Sequence, residues 1–473
     1  MALTSDVNWY IRSTATGTNS GGFDPVIGAA GTNRADADTS FVNGTNLTVD
    51  GSDNTKVTPD GHTPTSADVG NVVVISAGAG FTLEYYTITA EDGSLWTLDR
   101  SPAATSTSGG TWSMGGAFAD GVPLKLDNTA PTITSPLAAG HTVNVRGDGT
   151  DDPSTVHYQA SNSYVTPASG TLTSPIRIIG YNGRPHWKSG DGMLWYNNSF
   201  FYLENLKLTT GGSVNASFGI IYTAGTTAHN IRWDSNGTLC QCFGRASRVT
   251  DCYFGNSGAT TASSTGNGTV VAYYYVLILQ GCVFEDQRTC CVNIGNGNVG
   301  AISDNVFISC RNTSKTVSVV AHPSAQFVNN VCGNTFDNCA GNAITAVRAV
   351  VIQNNLFTRQ SAYAISAAAG HGPNLFDFNG FGSGTMGQTS GQYNVVSGGS
   401  NDVTLGSNVD PYVDKSSGDY ALDDTNGADL KAVGFPGAFL GIATTSYVDI
   451  GAVQRQEPAG GGSSRLINGG LIS

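Results

Sequence analysis

The sequence predicts an all-β protein whose main body is a solenoid of stacked coils, and three observations carry that expectation. Gly accounts for 62 of 473 residues and charged residues for only 12 %, and no long stretch shows the Ala/Leu/Glu/Lys usage of surface helices. From about residue 119 the apolar residues come in short runs, such as VNVRG (143–147), PIRIIGY (175–181) and FFYLENLKL (200–208), without helical periodicity. Finally, six stretches share one pattern: VTDCYF (249–254), LQGCVF (279–284), ISDNVF (302–307), VCGNTF (331–336), IQNNLF (352–357) and FDFNGF (376–381), at intervals of 30, 23, 29, 21 and 24 residues.

Residues 1–118 read as a separate N-terminal part. VGNVVVISAG (69–78), LEYYTITAE (83–91) and SLWTLDR (94–100) alternate β-branched or aromatic residues with polar ones, the pattern of a small antiparallel β module with an Asp92-Gly93 turn. Residues 13–66 are too rich in Gly, Ser, Thr, Asn and Asp to form a core alone, so loops over a partner surface or an arm are expected there.

Residues 119–456 read as the solenoid with its C-terminal cap. Aligned on the final Phe, the six stretches give a column of Phe254, Phe284, Phe307, Phe336, Phe357 and Phe381. Two positions earlier stand Cys252, Cys282, Asn305, Asn334, Asn355 and Asn379. Spacing by two places both columns on one face of a strand or bend, and stacked Asn amides can hydrogen-bond along the axis. Cys is small and buriable and suits the same slot, which accounts for most of the nine cysteines, all between Cys240 and Cys339, without a disulfide framework or a zinc site. Three before Phe stand Asp251, Gly281, Asp304, Gly333, Asn354 and Phe378, mostly turn formers. Coils of ~24 residues over this span predict about 14 rungs and a rod of about 65–70 Å. SGDYALDD (417–424) and YVDIGAVQRQ (447–456) bracket a segment without the columns, as expected of a terminal cap over the open sheet edge.

Residues 457–473 form a Gly/Ser linker followed by RLINGGLIS. Its Leu466, Ile467, Leu471 and Ile472 suit either a frayed end or a docking strand for another subunit.

The rungs resemble the right-handed parallel β-helix of pectate-lyase-like proteins: SPIRIIGYNGRP (174–185) looks like a first coil and DIGAVQ (449–454) like a closing segment. The string from VGNVVVISAG to SGGTWSMGGA (108–117) resembles a module that precedes β-helices in tailed-phage virion proteins. The resemblance implies a virion protein, either a capsid decoration or a tail spike or fibre, and the scarcity of acidic residues between 200 and 400, with no repeated Lys or Arg beside them, makes a non-enzymatic role the expectation. It further implies a homotrimer on the virion surface, with other virion proteins and a host surface polysaccharide as partners and no cofactor.

The charge balance bears on partners. A net charge of -13 repels phosphate backbones, so nucleic acid is not expected. MALTSDVNWYIR has no basic region followed by an apolar core, and no run reaches the ~20 apolar residues of a membrane span; synthesis in a cytoplasm and no membrane embedding are expected.

The alternative is a polysaccharide depolymerase, either a glycoside hydrolase or a calcium-dependent lyase. Its best carboxylate pair is Asp251 and Asp304, which share a column two rungs apart, about 9–10 Å, although turn-forming explains the same residues. Glu285-Asp286, with Asp337 on the next rung, form a second acidic patch, for which solvated surface is the plainer reading. No repeated Lys or Arg stands beside these acids, and the seven histidines are scattered. Tyr273, Tyr274 and Tyr275 suit a glycan platform or a contact between chains.

Overall fold

The computed structural model describes residues 3, 7–11, 22–23, 41–115, 137–153, 158–160, 169–189, 195–196, 200–210, 220–221, 223–235, 242–245, 247–255, 268–272, 276–288, 290–294, 299–319, 329–346, 350–367, 375–394, 397–435 and 449–453. The tyrosines at 273–275 and the apolar residues of the 465–473 peptide lie outside this set. The chain divides into two units, 1–207 and 208–473, and is a parallel β-solenoid with almost no helix.

In the N-terminal unit the strands Asn8–Ile11, Thr142–Arg146, Ile176–Tyr181 and Phe201–Glu204 stack in parallel, with Trp9, Val143, Ile178 and Leu203 in one register. All four of these side chains are buried, because alternate residues of a strand share a face. Gly22–Phe23 pairs antiparallel with the outermost strand.

Between the first two of these strands the chain leaves to form a closed six-stranded barrel from Phe41–Val49, Lys56–Thr58, Val72–Ala77, Tyr85–Glu91, Trp96–Leu98 and Gly110–Gly115. Its core holds Leu47, Val49, Val57, Ile75, Tyr86 and Ile88 with Trp96 and Trp112, the two indoles meeting edge to face at 5.0 Å. Each indole N–H needs an acceptor when buried: Trp112 donates to Asp60 (2.8 Å) and Trp96 to Asp68 (2.9 Å), and His62 lies 2.8 Å from the same Asp68 oxygen. These bonds fasten 60–68 to the barrel.

The division expected at 118/119 is therefore corrected. Residues 8–11 belong to the solenoid, the barrel is an excursion from its first coil, and 41–66, expected as loop or arm, supplies two barrel strands. Polarity misled because Leu47, Val49 and Val57, with Val42 packed against them, complete a core whose remaining side chains come from 72–115.

In the C-terminal unit each coil has three strands. The first sheet contains Thr227–His229, Ser247–Thr250, Val276–Gln280, Val299–Ser303, Asn329–Cys332, Val350–Gln353 and Leu375–Asp377. The second contains Arg232–Ser235, Tyr253–Gly255, Val283–Glu285, Val306–Ile308, Thr335–Asp337, Leu356–Thr358, Gly380–Ser383 and Val403–Ser407. The third includes Cys290–Ile294, Lys315–Val319, Asn342–Ala346, Tyr363–Ala367 and Gly391–Asn394.

The columns read from the sequence are two axial stacks. Phe254, Phe284, Phe307, Phe336, Phe357 and Phe381 continue from Trp233 in near-parallel ring contact, with centroids 4.6–5.4 Å apart, the spacing the strands impose. Beside them Asn305, Asn334 and Asn355 each donate Nδ2 to the next amide's Oδ1, at 2.9, 2.9 and 3.2 Å. Cys252 and Cys282 fill the same slot and, like the amides, donate to carbonyls around them: Cys282 Sγ lies 3.4 Å from Gln280 O and 3.7 Å from Val249 O.

Two left-handed positions bend each coil. The first holds Asn230, Asp251, Gly281, Asp304, Gly333, Asn354 and Phe378, with φ between 51° and 66°. Asn, Asp and Gly tolerate this region, whereas Phe378 is an outlier. The second, after the second strand, holds Asp286, Ser309, Asn338 and Arg359. It is followed by a second polar stack: Gln287, Cys310, Cys339 and Gln360 each donate to the carbonyl two residues back and to one in the coil before.

Among the described residues the parallel strands of the first-sheet type number four in the N-terminal unit and seven in the C-terminal unit, below the 14 rungs that a uniform period predicts. Coil length varies, and the described residues beyond 410, at 411–435 and 449–453, leave the solenoid. That segment caps the second sheet laterally: Tyr412, Tyr420, Leu422, Leu430, Ile450 and Ala452 pack with Val306 and Leu356 on its outer face. Gly380 makes room for the return, since a Cβ there would lie 2.8 Å from Leu430 and 3.0 Å from Ile450.

Candidate functional site

The first turn column sets two carboxylates on one corner. Strand registers place Thr250, Gln280 and Ser303 side by side, so Asp251, Gly281 and Asp304 follow one another up the axis. The two acids are two rungs apart, about 9–10 Å, and the glycine between them has no side chain to fill the gap.

Their surroundings differ. The Asp251 side chain is 36 % exposed, and its Oδ2 lies 3.3 Å from His229 Nδ1, which is also 3.0 Å from Thr250 Oγ1. Asp304 is partly buried and accepts a hydrogen bond from Gln280 Nε2 at 3.0 Å. Burial pushes its carboxyl above the ordinary range, against the opposing pull of hydrogen bonds from Gln280 and Ser303. Gly333, one rung on, has φ +66°, and a Cβ there would come within 2.9 Å of Asp304 Oδ1, so any side chain at 333 would displace the Asp304 carboxyl.

A raised native pKa means that the folded chain binds the Asp304 proton more tightly than the unfolded chain. Stability is therefore lost as pH rises from the ordinary carboxyl range through the raised value. Asp304→Asn removes this dependence. Thermal unfolding across pH 4–7 should give a flatter profile for the variant, with a midpoint at neutral pH no lower than that of the parent; a lower midpoint would contradict the assignment.

The second acidic patch is arranged differently from the sequence expectation. Glu285 pairs with Ile308, and Ile308 with Asp337, so Asp337 is two rungs from Glu285; the register follows the Phe column, and Phe307 intervenes. Asp286 turns away at a left-handed residue and meets Arg311. Glu285 accepts from Tyr253 OH at 2.6 Å, the Tyr253 ring lies 4.6 Å from the Arg232 guanidinium, and Arg232 bonds Asp234 at 2.7 Å.

Asp337, expected at a solvated surface, is completely buried. It accepts from Arg359 Nε (2.8 Å) and Nη2, from Thr358 Oγ1 (2.8 Å) and, at 3.4 Å, from Tyr420 OH. Tyr412 OH meets the same Thr358 at 2.8 Å. Burial, with the nearby Asp337 charge, pushes the Tyr420 hydroxyl above its ordinary range. This cluster fastens the returning C-terminal segment; its carboxylate has no access to a substrate.

Gln280, His229 and Arg359 are partners that sequence reasoning missed. The first two adjoin the turn column by one residue, the position where a polar side chain on the outer strand face reaches the next corner. Among the described residues no cluster of three or more His, Cys, Asp or Glu is arranged to hold a metal ion, and no helix is long and apolar enough to cross a membrane.

No protein-family model matches the chain, and no curated protein is similar to it in sequence. Solved structures that resemble it include the catalytic domain of a GH87 α-1,3-glucanase in complex with nigerose, at 10 % identity, covering 79 % of this chain and 91 % of that one with a TM-score of 0.33. The pectate lyase Pel9A is 13 % identical, with 69 % and 92 % covered and a TM-score of 0.30. A PL6 family alginate lyase is 11 % identical, with 65 % and 57 % covered and a TM-score of 0.27. These neighbours are polysaccharide-degrading enzymes; likenesses of this size carry no argument about what the present chain does.

Proposed function

We propose that the chain acts on a polysaccharide, hydrolysing a glycosidic bond with Asp304 as acid and Asp251 as base. The observation that carries this reading is the arrangement Asp251–Gly281–Asp304. Burial raises the proton affinity of the Asp304 carboxyl, the Asp251 carboxyl is partly open to water, and the rung between them carries only Gly281 in this column. Divergent environments for two carboxyls are what acid–base division requires, and a separation of about 9–10 Å is at the upper edge of that in inverting glycosidases, which leave room for a water.

In this mechanism Asp304 gives its proton to the glycosidic oxygen as the bond to the anomeric carbon breaks. A water held by Asp251 attacks that carbon from the opposite face and loses a proton to Asp251. His229 positions the Asp251 carboxylate, and Gln280 that of Asp304.

The test is release of reducing ends from a panel of bacterial surface polysaccharides. Asp251→Asn and Asp304→Asn should each lower kcat by about 10²–10⁴-fold while leaving the unfolding midpoint in place. Activity equal to that of the parent chain in either variant would sink the assignment.

A second reading is a non-enzymatic virion component that binds glycan or other virion proteins, as a trimer on the particle surface. It is favoured by the internal partners of Asp234, Glu285, Asp286 and Asp337, which spend carboxylates on holding the fold. Silence of the parent chain across the panel, together with glycan binding, would support it.

A further inference from the structure

The third sheet and the second polar stack meet at sulfur. Cys291, in the strand Cys290–Ile294, has its Sγ 3.3 Å from that of Cys310, which follows the second turn of the next coil. Both are fully buried free thiols. A bond at 2.03–2.05 Å requires the two sulfurs to approach by little more than 1 Å.

Cys310 is also held only by weak bonds, because a thiol is a weak donor. Gln287 and Gln360 occupy its slot one coil before and two coils after, and their donated bonds measure 2.8 and 3.0 Å, and 2.9 and 2.7 Å. The thiol meets the equivalent carbonyls at 3.8 and 3.7 Å, ordinary lengths for sulfur but weaker bonds than an amide N–H makes, so its removal from the stack forfeits less than loss of either Gln would.

We propose that Cys291 and Cys310 are a modification site, a dithiol that a small disulfide such as glutathione disulfide converts to a crosslink between consecutive coils. One thiol, deprotonated, attacks a glutathione sulfur and expels one reduced glutathione. The other then attacks the resulting mixed disulfide on the protein sulfur and expels the second. Two protein thiols are oxidised, one glutathione disulfide is reduced, and the two protons the protein thiols lose are taken up by the two expelled glutathione thiolates, which leave as thiols.

Burial pushes Cys291 and Cys310 above the ordinary thiol range, so neither is reactive while the coil is closed. Reaction follows local opening, and the product resists further opening because it closes a loop between residues 19 positions apart. The site is a one-way latch under oxidant, released by reductant.

The experiment incubates the full chain, purified reduced, with glutathione disulfide at a temperature just below its unfolding midpoint, then blocks free thiols and maps peptides by mass. The expected result is a Cys291–Cys310 peptide lighter by two hydrogens, a higher unfolding midpoint, and reversal of both by dithiothreitol. Cys339→Ser, which removes the next thiol of the stack, should leave the crosslink intact, and Cys291→Ser should abolish it. Absence of the crosslink in the parent chain, its appearance on Cys339 instead, or a lowered midpoint on oxidation would each overturn the proposal.

Discussion

Asn334→Leu should destabilise the C-terminal unit by about 3–4 kcal/mol, because it leaves several buried polar groups without partners at once. Asn334 Nδ2 serves Ile302 O, Cys332 O and Asn355 Oδ1, and its Oδ1 accepts from both the backbone N–H and the Nδ2 of Asn305. Leu has similar volume, so the loss reports hydrogen bonding rather than a cavity. Urea unfolding followed by tryptophan fluorescence and circular dichroism checks it. A loss below about 1 kcal/mol, the net worth of a single ordinary hydrogen bond, would mean that the stack is not a connected network.

Arg359→Met should cost about 3–5 kcal/mol, the range for stranding a buried charge. Asp337 has no exposed surface and Arg359 is its only cationic partner among the described residues. The same substitution should loosen the lateral cap, because Tyr420 and Thr358 share the carboxylate and Tyr412 shares Thr358. Limited proteolysis should then cut beyond residue 410 faster than in the parent chain. The double variant Asp337→Leu with Arg359→Met separates causes: if the uncompensated charge is responsible, it recovers most of the loss. If the double variant is as unstable as the single one, the packing of the arginine stem matters more than its charge.

The parts of this fold that are legible in the sequence are those in which one coil must match the next. Stacked rings require Phe at a fixed place, and an amide chain requires Asn or a small donor two residues earlier, so both columns survive loops of variable length. The second polar stack obeys the same geometry but leaves no visible column, because Gln287, Cys310, Cys339 and Gln360 differ in chemical kind although each donates to the same pair of carbonyls. The barrel's place in the chain is illegible for another reason. NWYI at 8–11 finds its partner at Thr142–Arg146, and four residues carry no period.

Asp251 and Asp304 can be aligned from the sequence, but their unlike environments cannot. These depend on His229 in the coil before one acid, and on Gln280 and burial around the other. The opposite failure occurs at Asp337: the sequence offers a lone acid near a turn, and only the returning C-terminal segment shows it to be interior. Arg359, which neutralises it, stands at a left-handed position where Asn or Asp is ordinary, a mismatch between residue and backbone that only a structure displays.

The lateral return of the C-terminal segment also sets a schedule for synthesis. Ala452 donates its N–H to Thr335 Oγ1 across 117 positions of sequence, and at ~5–20 residues per second the ribosome needs roughly 6–23 s to deliver that partner. Val306 is made before this interval opens and Leu356 early in it, whereas the residues that cover them, from Tyr412 to Ala452, follow only later. A nascent chain in this state presents an uncovered hydrophobic strip to whatever binds such surfaces in the cell, and a chain ended before residue 449 lacks Ile450 and Ala452 and leaves their part of the strip uncovered.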